Sequence, residues 1–353
     1  MGFAIDGFES DIAQKVKCHS VAALNSGTSA IHLALVLLNV GSQDSVLVQT
    51  NTHIGGVNPI VYQGASPVFV DSEKDTWNMC PIFLEEAIKD QIKKKKKPKA
   101  IILVHIYGMP AKMFEIIEVA SKYEIPIIED AAESLGSKYR NQHTGTFGIM
   151  GVYSFNGNKI ITTGGGGALV SNNQELIERA IFLSTHSRGE GPHYQHTSLG
   201  FNYRLSNVLA GIGRGQMEVL DERVSSLRTN FKKYVGFFEK WNAKGFNIQF
   251  QIEQEDMFSN RWLTTILVDP KTNYGLQRED LRLALEKENI ESRPLWKPMH
   301  LQPVFEKNKF YGARVAEELF EIGLCLPSGS NLGDEEFQRI FMAINKVMNF
   351  ALE

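Results

Sequence analysis

The sequence predicts an α/β protein: a mostly parallel central sheet flanked by helices, followed by a smaller C-terminal α+β domain. Three observations lead there. Continuous apolar runs of strand length alternate with helical stretches through the first half of the 353 residues. Most of those runs end in polar residues or glycine. The alternation stops near Ser206, where one long helical pattern runs to about Trp241. Alternating strand and helix points to a sheet covered on both faces, whose strands read as unbroken apolar runs.

Taken in order, TSAIHLALVLLNV (28–40) reads as a helix, VLVQT (46–50) and SPVFVD (66–71) as strands, and CPIFLEEAIKDQIKK (80–94) as a helix. KAIILVHIYG (99–108), the helix KMFEIIEVASKYE (112–124) and the strand IPIIED (125–130) continue the alternation. MGVYSF (150–155) and GALVS (167–171) add two strands on either side of a glycine-rich segment. The helical stretch from Ser206 links a large domain (1–225) to a small one (226–353). In the small domain RWLTTILVD (261–269) reads as a strand, and REDLRLALEKENI (278–290) and DEEFQRIFMAINKVMNF (334–350) as helices.

Composition narrows the function. Apolar residues at 43% supply a substantial core, and a net charge of −3 gives no field that would gather nucleic acid. Cys18, Cys80 and Cys325 are far apart and form no CxxC pair, which favours a reducing cytoplasm over a disulfide framework or a zinc site. No apolar run approaches the roughly 18 residues of a membrane span. The start, MGFAIDGFESD, lacks a signal-peptide pattern and has Asp6 where a myristoylation pattern needs Ser or Thr. The run KKKKK (93–97) is read as a solvated helix end before Pro98.

Open α/β sheets bind ligands at the carboxyl ends of their strands. IPIIED places Glu129 and Asp130 there, either as a helix cap or as a buried carboxylate facing a cationic ring nitrogen. NSGTSA (25–30) sets small residues before an apolar helix, so that Gly27 and Thr28 stand at a helix start that can cap itself or bind an anion. It lacks the Gly-Lys-Ser/Thr ending of a phosphate-binding Walker loop, and GGGG (164–167) has neither the spacing nor the following helix of a dinucleotide fingerprint. SFNGNK carries Ser154 and Lys159 beside those glycines. A hydroxyl, a reactive amine, a strand-end acid and an anion-binding helix start are together the parts of a pyridoxal phosphate site. ESRPLWKPMH gathers Arg293, Trp296, Lys297 and His300, groups suited to a sugar diphosphate or a donor carboxylate. STHSRGEGPHYQH brings His186, Arg188, His193 and His196 into one segment without metal-ligand spacing, so a substrate-facing loop is expected and no metal.

The motifs NSGTSAIHLAL, LVHIYG, IIEDAAESLGS, GTFGIMGVYSFNGNKIITTGGGGALVSNN, GFNYRLSNVLAGIGRGQMEVL and ESRPLWKPMH, in this order, resemble the DegT/StrS sugar aminotransferases of fold type I. The likeness runs from about residue 8 to the C-terminus. It is greatest to the branch that aminates UDP-4-keto-6-deoxy-N-acetylglucosamine on the bacillosamine route. The resemblance implies that Lys159 is the Schiff-base lysine and that Asp130 pairs with the pyridinium nitrogen. It places Glu133 near the ring hydroxyl, His53 against the ring, and Gly27, Thr28 and Ser154 on the phosphate. Asn202 and Arg204 would reach the partner subunit's site, Asn202 at its phosphate, so a homodimer with active sites at the subunit interface is expected. Glutamate would be the donor and a nucleotide sugar the acceptor, bound by Arg204, Arg293, Trp296 and His300. Relatives carry further chain before the FAIDGFES segment, and its absence is expected to affect substrate affinity more than cofactor binding. GDP- or dTDP-linked sugars, a dehydration reaction (which Lys159 argues against) and a non-catalytic regulator are the alternatives.

Overall fold

The apolar runs of the first half assemble into one eight-stranded sheet. The structure is a computed structural model and describes residues 2–352. Seven strands follow in chain order: β1 (Ser20–Leu24), β2 (Ser45–Gln49), β3 (Ser66–Val70), β4 (Ala100–Val104), β5 (Ile127–Asp130), β6 (Met150–Ser154) and β7 (Gly167–Ser171). Their spatial order is β1-β7-β6-β5-β4-β2-β3, and Phe310–Tyr311 adds the last edge beside β3. Only β7 runs against its neighbours β1 and β6; the other pairings are parallel. The strands β2, β4 and β7 are buried at every residue, as the unbroken apolar runs require. From β2 the chain turns one way to β3 and the other way to β4 and β5, which opens a crevice at the strands' carboxyl ends.

The helix Gly27–Leu37 is apolar nearly all round because it lies inside the protein, burying Ala30, Ile31, Leu33, Ala34 and Leu35. Each of the isoleucine and leucine side chains contributes about 1.5–3 kcal/mol on full burial. The helix Phe3–Val16 buries Phe8, Ile12 and Val16 at four-residue spacing. Phe8 lies against Gly213 of the helix Asn207–Glu218, so closely that a Cβ there would stand 2.7 Å from the ring.

Two expected elements differ. The helical stretch from Ser206 is two helices, Asn207–Glu218 and Leu220–Asn242, broken at Val219 with ψ near 8°. Leu220 is fully buried, and Asp221 and Glu222 supply the acidic first turn that favours a new helix start. The strand expected over 99–108 ends at Val104, because Tyr107 takes a left-handed φ of 55° in a 3-10 turn. The division expected after residue 225 falls within the helix Leu220–Asn242.

The C-terminal part builds an antiparallel sheet in the order Gln249–Phe250, Thr264–Leu267, Gly323–Leu326, Arg293–Pro294. The helices Arg278–Lys287 and Asp334–Phe350 cover it, their apolar residues joined in one core with Phe238 and Trp241. Among the described residues no helix is long and apolar enough to cross a membrane.

Candidate active site

The carboxyl ends of β2, β4, β5 and β6 and the start of the Gly27–Leu37 helix enclose a cavity of about 320 Å³. Lys159, Asp130, Glu133, Ser154, Gly27, Thr28, His53 and Trp296 all line it. Eight expected site residues, scattered over the chain, therefore share one space.

Lys159 stands on the turn after β6, its backbone N–H bonded to the carbonyl of Asn156 at 3.0 Å. Its side chain is only 11% exposed; the Nζ lies 3.6 Å from Glu133 Oε1 and 4.1 Å from the Trp262 ring centroid. Glu133 is buried, and its other oxygen accepts the Tyr107 N–H at 2.7 Å. Burial raises the Glu133 carboxyl above the ordinary range, with the Lys159 charge pulling the other way.

Asp130 ends β5 and is buried. Its Oδ1 accepts the N–H of Ala132 at 3.2 Å, a turn contact that serves in place of a helix cap. Burial pushes its carboxyl upward, opposed first by the charge of Lys159. A Cβ on Gly56 would stand 2.8 Å from Asp130 Oδ2, so a glycine is needed beside the carboxylate. A buried carboxylate with so few donors is a place where a ligand N–H adds a missing partner.

At the helix start, Ser26 is the cap: its Oγ accepts the Ser29 N–H at 3.0 Å. The earlier N–H groups, of Gly27 and Thr28, have no turn of helix before them and remain for an anion. Gly27 leaves 3.2 Å between a would-be Cβ and Ser154 Cβ. The glycine run serves the same approach, since a Cβ on Gly167 would come within 2.4 Å of the Gly27 nitrogen. Gly165 and Gly166 line the cavity without side chains.

His53 stands at the mouth, its ring edge-on to Trp296 at 4.7 Å and 80°. Its Nδ1 accepts the Gly55 N–H at 3.0 Å. Desolvation first, and the Lys159 charge second, hold the imidazole below its usual range, so the ring is kept neutral. Trp296 also faces an outer groove of about 980 Å³ that carries Arg293 and Lys297 and shares His53 and Asn158 with the cavity.

Four expected residues lie elsewhere or differently. Arg204 is turned into its own chain, where it pairs with Glu9 and donates to the Ala23 carbonyl at 2.9 Å. The amphipathic helix Phe3–Val16 brings that Glu9 carboxylate to it. His300 is a fold residue: Nδ1 meets Thr50 Oγ1 at 2.7 Å, Nε2 meets Glu317 at 3.2 Å, and the ring stacks on Phe310 at 3.9 Å. It ties the end of β2 to the edge strand. Asn202 is exposed, and its carbonyl accepts from Asn25 of the cavity wall at 3.0 Å. Arg293 is 76% exposed at the groove's rim and pairs with Glu291 at 2.7 Å. In the loop before Asn202, His196 Nδ1 bonds the His186 carbonyl at 2.8 Å, and Arg188 lies over Tyr194. Among the described residues no group of three His, Cys, Asp or Glu could hold a metal.

Trp262 and Tyr107 were not expected here. Tyr107 Oη accepts the Trp296 N–H at 2.9 Å and so ties the C-terminal part to the cavity. Both lie inside runs that read simply as strands, and nothing in their local pattern points at Lys159.

Residues 1–345 match the family model described as the DegT/DnrJ/EryC1/StrS aminotransferase family. EpsN of Bacillus subtilis, whose name assigns it provisionally to the pyridoxal phosphate-dependent aminotransferases, is 49% identical over 96% of this chain and 87% of its own. The GDP-perosamine synthase of Escherichia coli O157:H7 is 37% identical over 98% of this chain and 90% of its own. The crystal structure of a DegT DnrJ EryC1 StrS aminotransferase from Brucella abortus superposes with a TM-score of 0.90 at 28% identity, covering 98% of this chain and 90% of that one.

Proposed function

This chain belongs to the DegT/DnrJ/EryC1/StrS aminotransferase family, and from that membership we propose that it moves an amino group from glutamate to the keto carbon of a nucleotide-linked 4-keto-6-deoxy sugar. It is a pyridoxal phosphate-dependent sugar aminotransferase. The preferred acceptor is UDP-4-keto-6-deoxy-N-acetylglucosamine, by the likeness of its motifs to that branch.

The residues present fit the cofactor. One cavity holds a sheltered amine, an under-donated buried carboxylate and a helix start with N–H groups to spare. Pyridoxal phosphate, when bound, supplies an aldehyde that exchanges nitrogen and a conjugated ring that accepts electrons from the bond broken at the substrate carbon. Gly27, Thr28 and Ser154 would hold its phosphate, Asp130 would keep its ring nitrogen protonated, and Glu133 would face its hydroxyl. Lys159 would anchor it covalently and, as a free amine, would carry the proton to and from the substrate carbon. General acid–base work of that kind is worth about 10²–10⁴-fold in rate. His53 would pack against the ring, and Trp296 with Arg293 and Lys297 would receive the nucleotide side of the acceptor.

The observation that carries this reading is the joint burial of Lys159 and Asp130 in one cavity. A homodimer with shared sites is part of it. Tyr194, Leu199, Val208 and Ile212 leave large apolar surface exposed close in sequence to Asn202, a surface suited to a partner subunit. The three free buried thiols suit a reducing cytoplasm.

The test is a screen. Protein loaded with pyridoxamine phosphate is offered UDP-, GDP- and dTDP-linked keto sugars, and return of visible absorbance identifies the acceptor. Response to the UDP-linked 4-keto sugar is expected. A GDP-linked sugar is the second reading, favoured by the 37% identity to GDP-perosamine synthase; a response to none of them removes the function.

A further inference from the structure

Lys159 is held from two sides. Glu133 Oε1 lies 3.6 Å from its Nζ. The Trp262 ring centroid lies 4.1 Å from the same nitrogen. The indole comes from the C-terminal part of the chain, is 5% exposed, and is tightly oriented. Its Nε1–H donates at 2.9 Å to the carbonyl of Asn158, the residue just before the lysine. Its backbone N–H donates to Asn260 Oδ1 at 2.9 Å. Asn260 Nδ2 in turn donates to the carbonyls of Glu133 and Leu135 at 2.9 and 3.0 Å. One residue pair thus fixes the indole against both the lysine loop and the Glu133 loop.

An aromatic face attracts an ammonium group through its quadrupole and holds a neutral amine far less. We propose that Trp262 is a positioning residue for the Lys159 amine: its ring face, set by the Asn158 and Asn260 bonds, holds the free ammonium beside Glu133 and inside the cavity. The nitrogen that must move a proton is then kept at its post instead of swinging toward solvent. Glu133 supplies the charge and Trp262 the direction. The proposal rests on Lys159 being the amine that moves the proton.

Two variants separate the ring face from the rest. Trp262→Phe keeps a face and loses the bond to Asn158; Trp262→Leu loses both. Each is loaded with pyridoxal phosphate and mixed with glutamate, and 2-oxoglutarate is followed in a single turnover. In Trp262→Leu the limiting rate is expected to fall about 3- to 30-fold, with the half-saturating glutamate concentration and the cofactor affinity unchanged. Trp262→Phe keeps most of the rate. A second readout needs no cofactor: carbamylation of Lys159 by cyanate, read by peptide mass spectrometry, is expected to be faster in Trp262→Leu than in wild type or Trp262→Phe. An unchanged limiting rate in Trp262→Leu, equal losses in both variants, or equal cyanate reactivity in all three overturns the proposal. Should Trp262→Leu fail to fold, Trp262→Met gives the same comparison. A wild type that releases no 2-oxoglutarate from glutamate contradicts the aminotransferase reading instead, and the cyanate comparison then decides for or against Trp262 by itself.

Discussion

Glu129 and Asp130 are neighbours at the end of β5, and strand alternation turns them to opposite sides of the sheet. Both are buried carboxylates, yet their surroundings have little in common. Glu129 accepts from His105 Nε2 at 2.9 Å, from the Gly145 N–H at 2.8 Å, and from the N–H groups of Phe147 and Gly148 at 2.6 Å each. His105 Nδ1 meanwhile accepts the Ala111 N–H at 3.1 Å, which leaves its Nε2 proton for Glu129. Asp130 has the Ala132 N–H and the open cavity. One side of the strand tip is a finished framework that needs nothing further. The other is left short of donors, at a cost in stability, and that shortage suits it to a ligand that brings a donor.

The comparison can be broken by exchanging the consequences of substitution on its two sides. The largest effect is expected on the cavity side. Lys159→Ala should lower turnover by on the order of 10⁴-fold, while circular dichroism and the unfolding midpoint stay close to wild type. Asp130→Asn follows, with a loss on the order of 10²–10³-fold in turnover. The same substitution should stabilise the cofactor-free protein by about 1 kcal/mol or more, read by urea denaturation. The sign follows from the raised carboxyl of Asp130. The folded state holds that proton more tightly than the unfolded chain, so ionisation removes stability as the pH rises beyond the ordinary aspartate range. The gain in Asp130→Asn should therefore vanish in acid.

Glu129→Gln should do the reverse. It removes a buried, fully hydrogen-bonded charge and is expected to cost about 3 kcal/mol in stability, with turnover per folded molecule little changed. A stable, inactive Glu129→Gln together with an unstable, active Asp130→Asn would invert the whole comparison. The smallest expected effect is a pH dependence on the framework side. His143, in the short strand Gln142–His143, is pushed down to about 4 by burial first and then by Lys138, Lys15 and Lys17. Its Nδ1 has no partner among the described residues. The unfolded chain takes up that proton first, so stability is present above the usual histidine value and is lost as the pH falls from about 6.5. Urea midpoints measured in neutral and mildly acid buffer should differ in wild type and differ less in His143→Gln.

What the sequence disclosed follows the same division. Strands buried on both faces betray themselves as apolar runs, and β7 and the helix Asp334–Phe350 fall where the pattern put them. That Lys159, Asp130 and Ser154 share one cavity could be anticipated because each sits at or just beyond a strand end, and those ends face one crevice in an open α/β sheet. Glu129 could not be told from Asp130 by position, since only the donors arriving from residues 145–148 distinguish them. Trp262 and Tyr107 touch the cavity residues Lys159, Glu133 and Trp296 through tertiary contacts that no local period encodes. The partners of Arg204 and His300 were hidden for a related reason. A cationic or aromatic side chain read in its local motif says nothing of the carboxylate waiting elsewhere in the chain, here Glu9 and Glu317.

The most direct measurement concerns which amine takes the cofactor. Protein loaded with pyridoxal phosphate is reduced with borohydride, digested, and mapped by mass spectrometry. The phosphopyridoxyl group should be found on the peptide containing Lys159 and should be lost in Lys159→Ala. Label on any other lysine, or none in a protein that still transfers nitrogen, would contradict the account.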